Sequence, residues 1–168
     1  MTSVPILNPV PAWAAGGGLV NLRKPSASLG LKDVGDRQLI VETINRYGWA
    51  YDERCEDVLA NCFTDDAVFD GSVAGGFDVG PYEGRVAIVA WLKGIWDLQT
   101  DQRRHYVLNA LIDDLTDNSA AVLAYALITG AENGVARLVT TGFYRIRMAK
   151  QDGIWRIARI FGGFDTAF

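Results

Sequence analysis

From Arg103 onward the chain alternates apolar and polar residues through four segments, 103–114, 120–129, 135–150 and 154–162. A period of two sends successive side chains to opposite faces, so each segment predicts a half-buried strand. The separators Thr116-Asp117-Asn118, 130–134 and Gln151-Asp152-Gly153 supply the residues that tight reversals need. A meander of this kind has to cover one of its faces with apolar side chains from elsewhere in the chain.

The stretch before it offers that cover. Leu39, Ile40, Ile44, Tyr47 and Tyr51 recur at helical spacing over 37–51, with Asp36 placed to cap the helix. A second helix is predicted over 53–63 with Val58, Leu59 and Cys62 inward, ended by Thr64-Asp65-Asp66. A third, over 85–98, carries Val86, Ile88, Val89, Leu92, Ile95 and Trp96. Between the second and third, 67–70 reads as a short strand and the Gly/Pro-rich 71–84 as a loop, a mobile mouth without the lysine-serine word of a phosphate loop. Helices first and strands afterwards predict an α+β domain, a cone-shaped curved antiparallel sheet packed against three N-terminal helices, whose hollow can be a pocket.

Residues 1–33 hold four of the five prolines and the Gly16-Gly17-Gly18 run, so they read as an N-terminal arm, with 34–168 as the domain. The apolar members of the arm predict that it lies along the body or a partner, disorder being the alternative. A net charge of −4 gives no basic excess for nucleic acid, and no run approaches the ~20 apolar residues of a membrane span. The N-terminus lacks the basic-then-apolar order of a signal peptide, so a cytoplasmic location is expected. Cys55 and Cys62, seven apart on one predicted helix, stand about 10 Å apart along its axis and cannot pair there. One histidine and no His/Cys cluster predict neither a metal site nor a metal cofactor.

That histidine, His105, is the side chain whose ordinary pKa, about 6.5, suits proton exchange near neutrality. By alternation His105, Val107, Asn109 and Leu111 share one face, and Tyr106, Leu108, Ala110 and Ile112 the other. Both faces are apolar enough that period alone does not choose between them. Asp52 ends the first predicted helix, where the macrodipole disfavours a carboxylate, so it needs a compensating partner. Capping the next helix is one such role. Tyr47 and Asp52 sit about 140° apart on a continuous helix, and meet one ligand only if the helix ends or bends near Tyr51 or the ligand wraps around its tip. Trp91, Trp96 and Trp155 read as core.

The element order and five local words resemble the SnoaL-like branch of the nuclear transport factor 2-like superfamily. The words are Tyr47-x4-Asp52, Phe63-Thr64-Asp65-Asp66-Ala67, Gly84-Arg85-x-Ala87-Ile88, Arg104-His105-x3-Asn109 and Asp152-Gly153-x-Trp155-Arg156-Ile157. The resemblance spans about 36–162 and implies the cone. In scytalone dehydratase, bile-acid dehydratase and lindane dehydrochlorinase an aspartate ending the first helix faces a histidine early in the first long strand, the positions of Asp52 and His105. Tyr47 fits the tyrosine of the bile-acid enzyme and Tyr51 that of scytalone dehydratase. The chain departs from the latter in lacking a second histidine, and from the dehydrochlorinase in having Tyr47 where a lysine would stand.

The resemblance implies a cofactor-independent lyase or isomerase, dehydratase-like, acting on a small apolar cyclic molecule. His105 would be the general base, Asp52 its orienter and Tyr47 or Tyr51 the donor to oxygen, with Tyr51 contacting substrate. Asn109, two strand steps from His105, either holds a substrate oxygen or ties the sheet together. It equally admits a non-catalytic ligand-binding or small (beta) subunit like those of ring-hydroxylating dioxygenases, which carry a similar Arg-His-x-Val-x-Asn word. A homodimer or homotrimer is implied in either case. An epoxide hydrolase would need an Asp-Arg-Asp arrangement that these words do not place.

Overall fold

The computed structural model describes residues 22–25, 29–74 and 76–168, so most of the expected arm lies outside the described residues. Nine elements follow in order: α1 (Leu31–Asp52), α2 (Glu56–Asn61), β1 (Phe63–Val73), β2 (Phe77–Glu83), α3 (Arg85–Trp96), β3 (Gln102–Asp113), β4 (Ser119–Glu132), β5 (Val135–Gln151) and β6 (Ile154–Phe164). The strands form one open, six-stranded sheet in the order β2-β1-β6-β5-β4-β3, against which the three helices pack. The four-strand meander is antiparallel as its turns predict. One pair departs from the all-antiparallel expectation: β1 runs parallel to β6, which reaches it only after β2, α3 and the first three strands of the meander.

The expected loop 71–84 is instead the end of β1 and all of β2, paired as an antiparallel hairpin. Gly80 and Pro81 interrupt the alternation that would mark a strand, and a proline is tolerated here because β2 is an edge strand. The word Phe63-Thr64-Asp65-Asp66-Ala67 opens β1 and is not a turn.

α1 begins six residues earlier than its apolar period suggests, so the expected boundary at 33/34 falls inside it. Asp36 is not a cap. It is buried in the helix and accepts hydrogen bonds from Lys32 Nζ (2.9 Å), Lys150 Nζ (2.7 Å) and Trp155 Nε1 (2.9 Å). Two cations and an indole offset its desolvation in the seam between helix and sheet. Ile40, Ile44, Tyr47 and Tyr51 face inward as expected, while Leu39, Val58 and Val86 are exposed. Phe63, Leu59, Ile88, Trp155, Ile157 and Ile160 are almost wholly buried among helices and sheet, and truncating Phe63 or Trp155 to alanine would cost about 3–5 kcal/mol.

β3 carries a bulge. Its pairing with β4 steps from Leu108↔Tyr125 to Leu111↔Leu123, leaving Asn109 and Ala110 opposite one residue. Asn109 absorbs the turn at φ 53°, a left-handed conformation that asparagine tolerates. The bulge reverses the phase of the strand, so His105 and Val107 face the helices before it, and Ala110 and Ile112 after it. The expectation that one face runs from His105 through Asn109 and Leu111 therefore holds only as far as Val107.

Candidate active site

The chain around Asp52 is shaped by how α1 ends. Arg54 adopts φ 55°, its N–H bonds the carbonyl of Tyr51 (3.1 Å), and the Cys55 N–H bonds that of Ala50 (2.8 Å). This is a Schellman stop with arginine in the left-handed position glycine usually takes. It turns the chain away directly after Asp52 and leaves the carboxylate directed at β3. Gly48, one turn earlier, lets the helix approach that strand: a Cβ there would stand 3.2 Å from the His105 carbonyl oxygen.

The Asp52 carboxylate takes two hydrogen bonds from one residue. Oδ1 is 2.6 Å from His105 Nδ1, and Oδ2 accepts the His105 backbone N–H at 2.7 Å. Both side chains are at least nine-tenths buried. A carboxylate accepts and does not donate, so the ring proton is assigned to Nδ1 and Nε2 carries the lone pair. The two bonds also replace the compensation that a carboxylate at a helix C-terminus requires. Capping of α2 is not its role, since the N-cap there is Cys55.

His105 lines a cavity of about 550 Å³ between the helices and the sheet, while Asp52 stands behind the ring and does not line it. The walls are aromatic and aliphatic. Trp91 stacks on Tyr82 at 4.2 Å and 14°, and Phe69 tilts against Trp91 at 4.8 Å. Phe77, Val79, Gly80 and Tyr82 line it from β2. Tyr51 lies edge-on to the His105 ring at 4.6 Å, and its phenolic oxygen accepts the Gln99 side-chain amide at 2.9 Å, leaving its own O–H to donate. Burial pushes the Tyr51 pKa up to about 12, against the opposing pull of the Gln99 amide and Arg103. The Tyr47 and Tyr144 rings meet edge-on at 6.3 Å, and burial holds both phenols well above their ordinary range. Phenols next to an imidazole in an apolar hollow can pass a proton and stabilise a developing oxyanion.

A model of the SnoaL-like domain matches residues 32–160. The chain belongs to the SnoaL-like family. Solved structures share the fold of this SnoaL-like chain. An NTF2-like protein with a cystatin-like fold from Novosphingobium aromaticivorans superposes with a TM-score of 0.70 at 20% identity, covering 80% of this chain and 84% of that one. A protein described as the beta subunit of a candidate aromatic-ring-hydroxylating dioxygenase from Novosphingobium aromaticivorans gives 0.69 at 16%, covering 80% and 92%. A Catenulispora acidiphila protein in complex with S-DNPA gives 0.69 at 24%, covering 79% and 95%. No curated protein matches this SnoaL-like sequence.

Of the residues singled out in this SnoaL-like sequence, Tyr47, Tyr51 and His105 line the cavity together. Tyr47 lines the cavity and Asp52 does not, its carboxylate being engaged by His105. Asn109 is exposed at the bulge and does not line this cavity. Trp91 is cavity wall where core is the expectation. Gln99, Arg103 and Tyr144 carry polar groups into the site and are missed by the sequence, although Arg103 shares the strand face of His105 by simple alternation. Among the described residues no three His, Cys, Asp or Glu side chains converge to hold a metal ion, and no helix is long and apolar enough to cross a membrane.

Proposed function

We propose that this domain is a cofactor-independent lyase or isomerase of the dehydratase type, acting on a small cyclic, mostly apolar carbonyl compound. The observation that carries the reading is the His105 ring, tied through Nδ1 to Asp52 on one side while the ring lines an aromatic cavity on the other. Nε2 removes a proton from the carbon next to the carbonyl, and the electron pair moves to the carbonyl oxygen, where a phenol O–H receives it. Asp52 stays ionised, holds the tautomer and stabilises the imidazolium. The imidazolium then returns its proton either to a leaving hydroxyl, which departs as water, or to a second carbon, which moves the double bond. Tyr51, edge-on to the imidazole with its O–H available, is the nearer donor. Tyr47, one turn earlier on α1 and edge-on to Tyr144, is the second donor.

The test is a panel of aromatic and steroid-like hydroxyketones incubated in D2O and followed by NMR for deuterium at the acidic carbon or for loss of water. Exchange that His105→Ala abolishes supports the reading. Exchange that proceeds unchanged in that variant overturns it.

A second reading, a non-catalytic subunit, is favoured by the outer face of the sheet. Tyr106, Leu108, Tyr125 and Leu138 are exposed there, an apolar surface suited to a partner. Self-association into a dimer or trimer would cover it equally. Light scattering separates the two: a homo-oligomer supports self-association, and a monomer that copurifies with a large oxygenase subunit supports the second reading.

A further inference from the structure

Tyr51, Gln99 and Arg103 stand between two hollows. On one side is the aromatic cavity, and on the other a polar cleft of about 510 Å³ whose lining includes Asp52, Arg54, Asp101 and Gln102. Arg103 reaches both. It lies on β3 two residues before His105 and on the same face, and its side chain is only 12% exposed.

The guanidinium is held in place before any ligand arrives. Its Nε donates to Asp101 Oδ1 at 2.7 Å, and Asp101 Oδ2 accepts from Arg137 at 2.8 Å. Asp101 is itself buried against Gly130, where a Cβ would stand 2.2 Å from Oδ2, so the glycine is what admits the carboxylate. Among the described residues Asp101 is the one carboxylate that Arg103 pairs with, and that acid is shared between two arginines. Asp101 is shared by two guanidinium groups, so it is not reserved to Arg103, which brings a positive charge to the end of an apolar cavity where an anionic group could pair with it. Arg103 is the cation among the cavity-lining residues, and the acid among them, Asp78, sits exposed on β2 at the far edge of the sheet from β3.

We propose that the cavity selects molecules carrying an anionic oxygen group, a carboxylate in the simplest case, on a flat apolar ring system, with Arg103 as the residue that recognises the anion. The rings lie against Trp91, Tyr82 and Phe69. Arg103 and His105 are separated by about 7 Å of strand, so an acid group on the guanidinium places a ring or short side arm beside the imidazole. The proposal rests on the reading of this cavity as the ligand site. It does not depend on His105 being a base.

Calorimetric titration with 2-naphthoate and with its neutral isostere methyl 2-naphthoate tests it. The acid is expected to bind about tenfold or more tightly than the ester, as a charge-assisted pair in a dry site should. The preference should vanish in Arg103→Met, with ester binding retained, and return in part in Arg103→Lys, which restores charge without the planar fork. Equal or tighter binding of the ester to the unaltered protein, no binding of either probe, or a preference that survives Arg103→Met overturns the proposal. The comparison in the unaltered protein holds even if a variant fails to fold. Filling the cavity with Ile95→Trp should abolish binding. Naphthoate binding that survives this change overturns the cavity as the ligand site along with the proposal, whereas an acid preference that is absent from the unaltered protein, or that survives Arg103→Met, overturns only the role of Arg103.

Discussion

Asp52 and His105 are 53 residues apart in the chain, yet one carboxylate binds both the ring Nδ1 and the backbone N–H of the histidine. The second bond matters as much as the first. It fastens the end of α1 to the early part of β3, so the position of the base depends on the strand as well as on its own rotamer. A group held at both points loses little freedom on reaction, which is what preorganisation requires.

Replacing Asp52 by asparagine keeps the shape but removes the charge that fixes the Nδ1 proton. Turnover of a substrate found in the hydroxyketone panel should fall by about 10²–10⁴, the scale of acid-base catalysis, with circular dichroism unchanged. A variant that retains more than about a tenth of the activity would remove Asp52 from the mechanism.

Gly48→Ala separates packing from chemistry. Alanine favours the helix by about 0.5–1 kcal/mol, yet its Cβ would lie 3.2 Å from the His105 carbonyl oxygen and 3.5 Å from its Cβ. These opposed effects leave thermal stability within about 1 kcal/mol of the original. The small displacement of helix from strand should lower turnover by as much as about 10²-fold. Equal activity in the two proteins would show that the seam yields without moving the dyad.

Ultraviolet titration of the six tyrosines should divide them. Tyr47, Tyr51 and Tyr144 all have raised values from burial, Tyr51 at about 12. Since the folded values lie above the unfolded one, the stability they contribute is intact below pH ~10 and is lost as pH rises through the folded values. Three tyrosines should therefore ionise late, together with alkaline unfolding. Ionisation of all six near pH ~10 in the folded protein would contradict the buried cluster.

Asp36 governs the acid limb. Lys150, Trp155 and Lys32 hold its carboxyl well below the usual range, so its contribution is present above the unfolded pKa of about 3.9 and is lost as pH falls toward the folded value. Asp36→Asn should lower the urea midpoint at pH ~7, and the gap from the unaltered protein should narrow as the medium is acidified below pH ~4. A gap that stays constant with pH would assign the loss to packing alone.

The elements with long, clean periods were legible: α1 and α3 from their 3.6-residue faces, and β4 to β6 from alternation between turn residues. β2 was not, because Gly80 and Pro81 break its pattern and only its edge position makes them tolerable. Asp36 was misplaced because an acidic residue ahead of an apolar run looks the same as a cap until Lys150 and Trp155 arrive from the other end of the chain. Asn109 was misplaced because alternation assumes an unbroken ladder, and a bulge inserts one residue without any mark in composition. Arg103 stood in plain view on the His105 face, but a charged residue near a strand end reads as solvated until Asp101 is seen to hold it.

Local periodicity determined which side of each helix and strand is apolar, and with the family words it put His105 and Asp52 forward as partners. Tertiary structure decided which side is the cavity, that Asp52 holds His105 without lining that cavity, and that Arg103 lines it while Asn109 does not. The physical reason is that period reports a side chain's direction relative to its own backbone. Burial, ion pairing and the direction of a lone pair depend on which distant backbone comes to lie against it.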